Sequence, residues 1–93
     1  LIMPTILSRI KQKVRAGNFV ISGHCQDELE NDFLSVSDAV KAILNAEFDK
    51  LTDDESHVRY VLYGEARDGR ALDVIVMIHQ GTVILKTAYE SDS

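Results

Sequence analysis

The hydrophobic period of this chain changes at Glu47. Before it, apolar residues recur every three or four positions, the spacing of one helix face. After it they alternate, the spacing of a half-buried strand. A chain of 93 residues has room for one hydrophobic core, so the two halves must pack on each other. The expectation is an α+β fold of two layers, with residues 1–93 as one domain. Two to three N-terminal helices should cover a four- to five-stranded, mainly antiparallel sheet, in the order α-β-α-α-β-β-β-β.

Local signals place the elements. Pro4 suits a first helical turn, and Ile6, Leu7, Ile10 and Val14 share one face behind it. Lys11, Lys13 and Arg15 complement the end of that helix, and Ala16-Gly17-Asn18 stops it. Phe19-Val20-Ile21 reads as a short strand punctuated by Ser22-Gly23. A second helix is expected through residues 26–33, with Cys25, Leu29 and Phe33 repeating every four positions. Ser35 and Asp38 make a capping box with Asp in the Glu position, ahead of a helix over 36–46 with an apolar stripe of Val36, Ala39, Val40, Ile43 and Leu44. Residues 47–51, 57–66, 71–79 and 82–90 read as strands, with an acidic turn at 52–56, Asp68-Gly69 as a hairpin signal and Gln80-Gly81 as a second tight turn. Leu72, Val74, Val76 and Ile78 are expected on one sheet face, opposite Asp73, Ile75, Met77 and His79.

Composition narrows the class. Hydrophobic residues at 45% and charged residues at 27% are globular values. The longest apolar runs, 74–78 and 83–85, are far short of the roughly 20 residues of a membrane span. Residues 1–20 lack a signal-peptide layout, because their cations follow the apolar residues; Met3-Pro4 reads as a translation start, preceded by Leu1 and Ile2. The single cysteine, Cys25, excludes an internal disulfide and a Cys-rich zinc site, and points to a reducing cytoplasmic compartment. Ten Lys and Arg against fifteen Asp and Glu give −5, the wrong sign for general phosphate binding. Seven of those acids, however, lie in two clusters at 27–32 and 53–55, so the remainder is ten basic against eight acidic.

Few mechanisms survive. No Gly-rich phosphate loop, HExxH, GxSxG or EF-hand spacing occurs, and His24, His57 and His79 have no metal-ligand spacing. No cofactor or metal is expected. Cys25 and His24, adjacent on a helix, point about 100° apart and make poor partners, so Cys25 reads as a buried, inert residue. His24 lies just past a strand at a helix N-terminus, which favours a neutral, basic imidazole. Arg59 and Tyr63 share a strand face, and Lys86, Thr87 and Tyr89 close the last strand. An imidazole, a guanidinium and a phenol or ammonium suffice for metal-free phosphodiester cleavage: a base for the 2′-OH, a cation for the phosphate, an acid for the leaving 5′ oxygen. The bland alternatives are a helix-start His24, an Arg59 paired with the 53–55 turn or with Asp73, and ordinary strand tyrosines at 60, 63 and 89.

The order Phe19-Val20-Ile21-Ser22-Gly23-His24, then residues 34–44, then Arg59-Tyr60-Val61-Leu62-Tyr63-Gly64, residues 68–76 and Ile84-Leu85-Lys86-Thr87-Ala88-Tyr89-Glu90 resembles the domain-of-unknown-function 4258 family over about residues 17–91. That resemblance implies the fold of small α+β toxins of bacterial toxin–antitoxin modules, some of which cleave mRNA, and an antitoxin protein as partner. Carried over by position, His24 matches the family's His after the first strand, Arg59 falls in a strand that often holds a basic residue, and Thr87-Ala88-Tyr89 matches the closing Thr-x-Tyr. The site implied is His24 as base, Arg59 and Lys86 on phosphate, and Tyr89 as acid or stacking group. Two departures remove positive charge: Glu28, Glu30 and Asp32 stand where many members have arginines, and Asp73 where many have a second His. The alternative is a non-enzymatic domain that binds a partner protein or dimerises, for which Ile75, Met77, Val83 and Leu85 supply spare apolar surface.

Overall fold

The computed structural model describes residues 5–47, 49–53 and 58–91. Pro4, His57 and positions 54–56 of the acidic turn lie outside the described residues. Three helices, α1 (Ile6–Arg15), α2 (Gly23–Asn31) and α3 (Val36–Asn45), alternate with or precede five strands, β1 (Phe19–Ile21), β2 (Asp49–Asp53), β3 (Val58–Glu65), β4 (Ala71–His79) and β5 (Thr82–Glu90). The element order is the one expected from the period change. β5, β4, β3 and β2 run antiparallel to their neighbours, and β1 adds in parallel to β5, giving the order β1-β5-β4-β3-β2.

Each helix begins on a side-chain cap. Thr5, Ser22 and Ser35 accept hydrogen bonds from the N–H groups of Ser8, Cys25 and Asp38, and Ser35–Asp38 is a complete capping box. Hydrogen bonds donated to the Asp38 carboxylate by the backbone N–H of Ser35, then that of Arg67, hold it below the usual aspartate range.

The core lies between the helices and one face of the sheet. Ile10, Cys25, Leu29, Ala39, Ala42 and Ile43 from the helices meet Leu62, Leu72, Val74, Val76, Val83, Leu85 and Ala88 from the strands, all buried. The stripes read from α1, α3 and β4 are therefore the inner faces. Val83 and Leu85 are corrected here: they are fully buried core residues, and Ile84 takes their place beside Ile75 and Met77 on the far face. The cause is a bulge. Ile75 pairs with Thr87 but Val76 with Leu85, leaving Lys86 as an extra residue. Leu85 and Ala88, three apart, both face the helices, so Lys86 and Thr87 fall on the outer side together.

The two edges of the sheet are closed differently. β1 covers β5 only as far as Leu85; beyond that α2 runs along the edge, with Ser22 Oγ donating to Lys86 O and Asp32 accepting from the N–H of Glu90. At the other edge β2 stops opposite Leu62, and Asn45 takes over, donating to Glu65 O and accepting from Glu65 N at 2.8 Å each. Side chains thus replace missing strand partners.

Phe33 departs from its helical expectation. α2 ends at Asn31, and Phe33 is 92% exposed at φ 58. Leu34 N donates to Leu29 O and Phe33 N to Glu30 O, the Schellman pattern with Phe in the left-handed position. α1 ends the same way with Gly17 at φ 77. Arg70 steadies the α2 terminus by donating to the carbonyls of Asp32 and Phe33, supplying the cation that α2 itself lacks. Since a bulky residue is disfavoured at positive φ and this side chain packs on little, Phe33→Gly is expected to raise stability by about 0.5–1 kcal/mol. Urea unfolding checks it; a lowered midpoint would mean the phenyl ring has packing value.

Candidate functional site

The outer face of the sheet carries the polar residues singled out above. Arg59 and Tyr63 project from β3, Asp73 from β4, and Thr87 and Tyr89 from β5, with Ile75, Met77 and Ile84 between them. No helix packs on this face among the described residues. α2 stands along its β5 border, and His24, the second residue of α2, is 70% exposed there.

His24 was expected just past the first strand at a helix N-terminus, and it lies there. Its Nε2 is 3.1 Å from Glu28 Oε1, one helical turn on. The ring N–H is not aimed along that line, and Oε1, shielded from water, has no aligned donor. The contact is thus electrostatic, strongest when the imidazole is protonated. Glu28 also lies close enough to Cys25 and Tyr89 to act on both. Burial, then the Glu28 carboxylate, push the Cys25 thiol up to about 11, so this buried free cysteine stays protonated and inert, as read from the sequence.

Tyr89 sits directly opposite Asp73, which sits opposite Tyr63. The three form one row across β3, β4 and β5. Asp73 accepts a hydrogen bond from Ser91 Oγ, and the Tyr89 phenol lies close enough to feel its carboxylate. Desolvation, then the Asp73 charge, raise the Tyr89 phenol above its ordinary value, with Tyr63 and Glu28 adding. The proton is held firmly at neutral pH.

Three of the four residues named from the sequence, His24, Lys86 and Tyr89, come from the two elements that border one corner, where α2 follows β5. Ser22, two residues before His24, is tied to the Lys86 carbonyl at 3.0 Å. Arg59 shares the face but stands apart. It lies four residues from Tyr63 and two strands from Tyr89, about 13 Å along and about 10 Å across. It is also not opposite Asp73, whose β3 partner is Tyr63. Reading the sequence for site residues missed Glu28 and Asp73 as members of this corner. Glu28 had a usable signal, its i, i+4 spacing from His24. Asp73 is visible only through strand register. His79, at the exposed end of β4, is remote.

Three other cations are spent elsewhere. Lys11 Nζ donates to Ala46 O at the end of α3, and Lys13 Nζ to Gly81 O in the β4–β5 turn. Arg70 is engaged by Asp68 and the α2 terminus. Lys86 and a protonated His24 bring positive charge to the corner, against Glu28 and Asp73.

A three-helix layer on a mixed five-stranded sheet, with its polar corner on the open face, defines a small α+β domain. The family model described as "Domain of unknown function (DUF4258)" matches residues 21–90, and the chain belongs to that family. No curated protein and no solved structure matches it. No helix among the described residues is long and apolar enough to cross a membrane.

Proposed function

We propose that this domain is a toxin-like, metal-free endoribonuclease acting at the α2–β5 corner, with an antitoxin-type protein as its partner in the cell. The observation that carries the reading is the bulge at Lys86, which sets Lys86, Thr87 and Tyr89 on the outer face beside the exposed imidazole of His24. His24 takes the proton from a ribose 2′-OH, and the freed oxygen attacks the adjacent phosphorus. The P–O5′ bond breaks to leave a 2′,3′-cyclic phosphate. Lys86, with Arg59 two strands away on β3, balances the charge that builds on the phosphate oxygens. The departing 5′ oxygen collects a proton from the Tyr89 phenol; that alkoxide is far more basic than a phenolate, so transfer is favourable even from a phenol raised by Asp73. Glu28 stabilises the imidazolium while His24 holds the proton.

The test is cleavage of single-stranded RNA at low salt in the presence of EDTA, with cyclic-phosphate ends on the product. Replacing His24 by Ala is expected to slow cleavage on the order of 100-fold or more, and Arg59→Ala to raise KM more than it lowers kcat. No cleavage by the unaltered protein, or equal rates in both variants, would overturn the proposal.

A second reading, a protein-binding or homodimerising domain, draws on one observation: Val20 is 52% exposed next to Ile84 on a face that also carries the half-buried Ile75, whereas Met77, expected there as spare apolar surface, is buried. Under it, Ile84→Asp changes the mass measured by light scattering and leaves any RNA cleavage intact.

A further inference from the structure

We propose that the Tyr63–Asp73–Tyr89 row is a base-reading subsite that selects guanine; the inference rests on the ribonuclease reading above. Strand register places a carboxylate between two phenol rings, each one strand away. The Cα atoms of Tyr63 and Tyr89 are therefore about 10 Å apart, a span that accepts a planar base against a ring face. An ionised carboxylate has about four acceptor positions. The hydroxyl of Ser91 occupies one of them and the Tyr89 phenol stands beside the carboxylate, so positions remain for a ligand.

Guanine alone among the RNA bases offers two adjacent donors, N1–H and N2–H, on its pairing edge. Uracil instead flanks its single N–H with two carbonyl oxygens, which a carboxylate repels. Adenine and cytosine each bring one amino group beside a ring acceptor and fall between. The Ser91 hydrogen bond matters because it holds the carboxylate in one orientation before the base arrives, so little ordering is required on binding. Lys86, three residues before Tyr89 on β5, is positioned for a phosphate on one side of the bound nucleotide. A base contact here supplies affinity that a long basic groove would otherwise provide.

The test uses 3′-GMP and 3′-UMP as probes, followed by the amide NMR shifts of the intact chain. The expected result is shifts centred on Tyr63, Asp73 and Tyr89, with 3′-GMP bound on the order of tenfold more tightly than 3′-UMP. Asp73→Asn, which replaces one acceptor by a donor, should erase that preference while 3′-UMP binding persists. If Asp73→Asn fails to fold, the Tyr63 pair carries the test: Tyr63→Phe keeps the guanine preference, and Tyr63→Leu weakens both nucleotides several-fold. Equal affinities in the unaltered protein, a preference unmoved by Asp73→Asn, or a Tyr63→Leu variant that binds normally would each overturn the subsite. RNA cleavage without base preference removes this inference alone. Absence of both nucleotide binding and cleavage removes the ribonuclease reading with it.

Discussion

Gly64→Ala is expected to destabilise the protein by about 3 kcal/mol or more. Gly64 lies on the inner face of β3, where α3 crosses the sheet. A Cβ added there would stand 1.9 Å from the carbonyl oxygen of Ala42 and 2.8 Å from the Asn45 side-chain oxygen. Neither neighbour can yield cheaply. The first is backbone in the middle of α3, and the second holds both polar groups of Glu65 at the sheet edge. The added methyl must push α3 off β3 and so open the core around Ile43 and Leu62. For a domain of this size the loss corresponds to a midpoint lowered by more than about 10 °C. Because the obstacle is backbone, Ala42→Gly does not rescue the variant, which separates this mechanism from ordinary crowding between side chains. Thermal unfolding of the single and double variants checks it, and a Gly64→Ala midpoint within a degree or two of the parent would mean that helix and sheet do not approach so closely.

That contact also shows which features the sequence could not disclose. The Ser35–Asp38 capping box, the Gly17 helix stop and the two hairpin turns are read correctly because each is complete within a few residues, and the physics that fixes it is equally local. The helix stripes and the alternation in β4 are read correctly for a related reason: period alone decides which face is apolar. Phe33 fails that logic. It continues the spacing of Cys25 and Leu29, yet the chain leaves the helix two residues earlier, and only the Schellman bonds reveal it. The place of β1 beside β5, α2 as a cover for the sheet edge and the meeting of Ser22 with Lys86 all join residues some sixty positions apart. The corner that holds His24, Glu28, Lys86 and Tyr89 depends on every one of them. Its residue types were visible; its assembly was not.

The bulge at Lys86 decides most about that corner, and deleting Lys86 is the most direct way to test it. Residues 82–90 read as a plain alternating strand, with nothing in Val83-Ile84-Leu85-Lys86-Thr87-Ala88-Tyr89 to mark an extra residue. Plain alternation would put Leu85, Thr87 and Tyr89 on one face. In the fold Leu85 and Ala88 are buried against the helices, whereas Thr87 and Tyr89 are turned outward. Removing Lys86 takes out the residue that has no partner and lets β5 pair straight through: Leu85 still meets Val76, Thr87 meets Ile75, Ala88 meets Val74 and Tyr89 meets Asp73. Leu85 and Ala88 stay buried and Thr87 and Tyr89 stay outward, now by plain alternation. What goes is the local bend, the Lys86 ammonium and the carbonyl that accepts from Ser22 Oγ. The core is therefore expected to survive at a cost of about 1 kcal/mol, while α2, which leans on β5 at the bulge, loosens. Hydrogen exchange should show reduced protection in α2 with β3 and β4 unchanged. A deletion variant whose core unfolds would mean that the register beyond the bulge depends on the extra residue, and unchanged exchange in α2 would mean that the Ser22–Lys86 tie holds nothing.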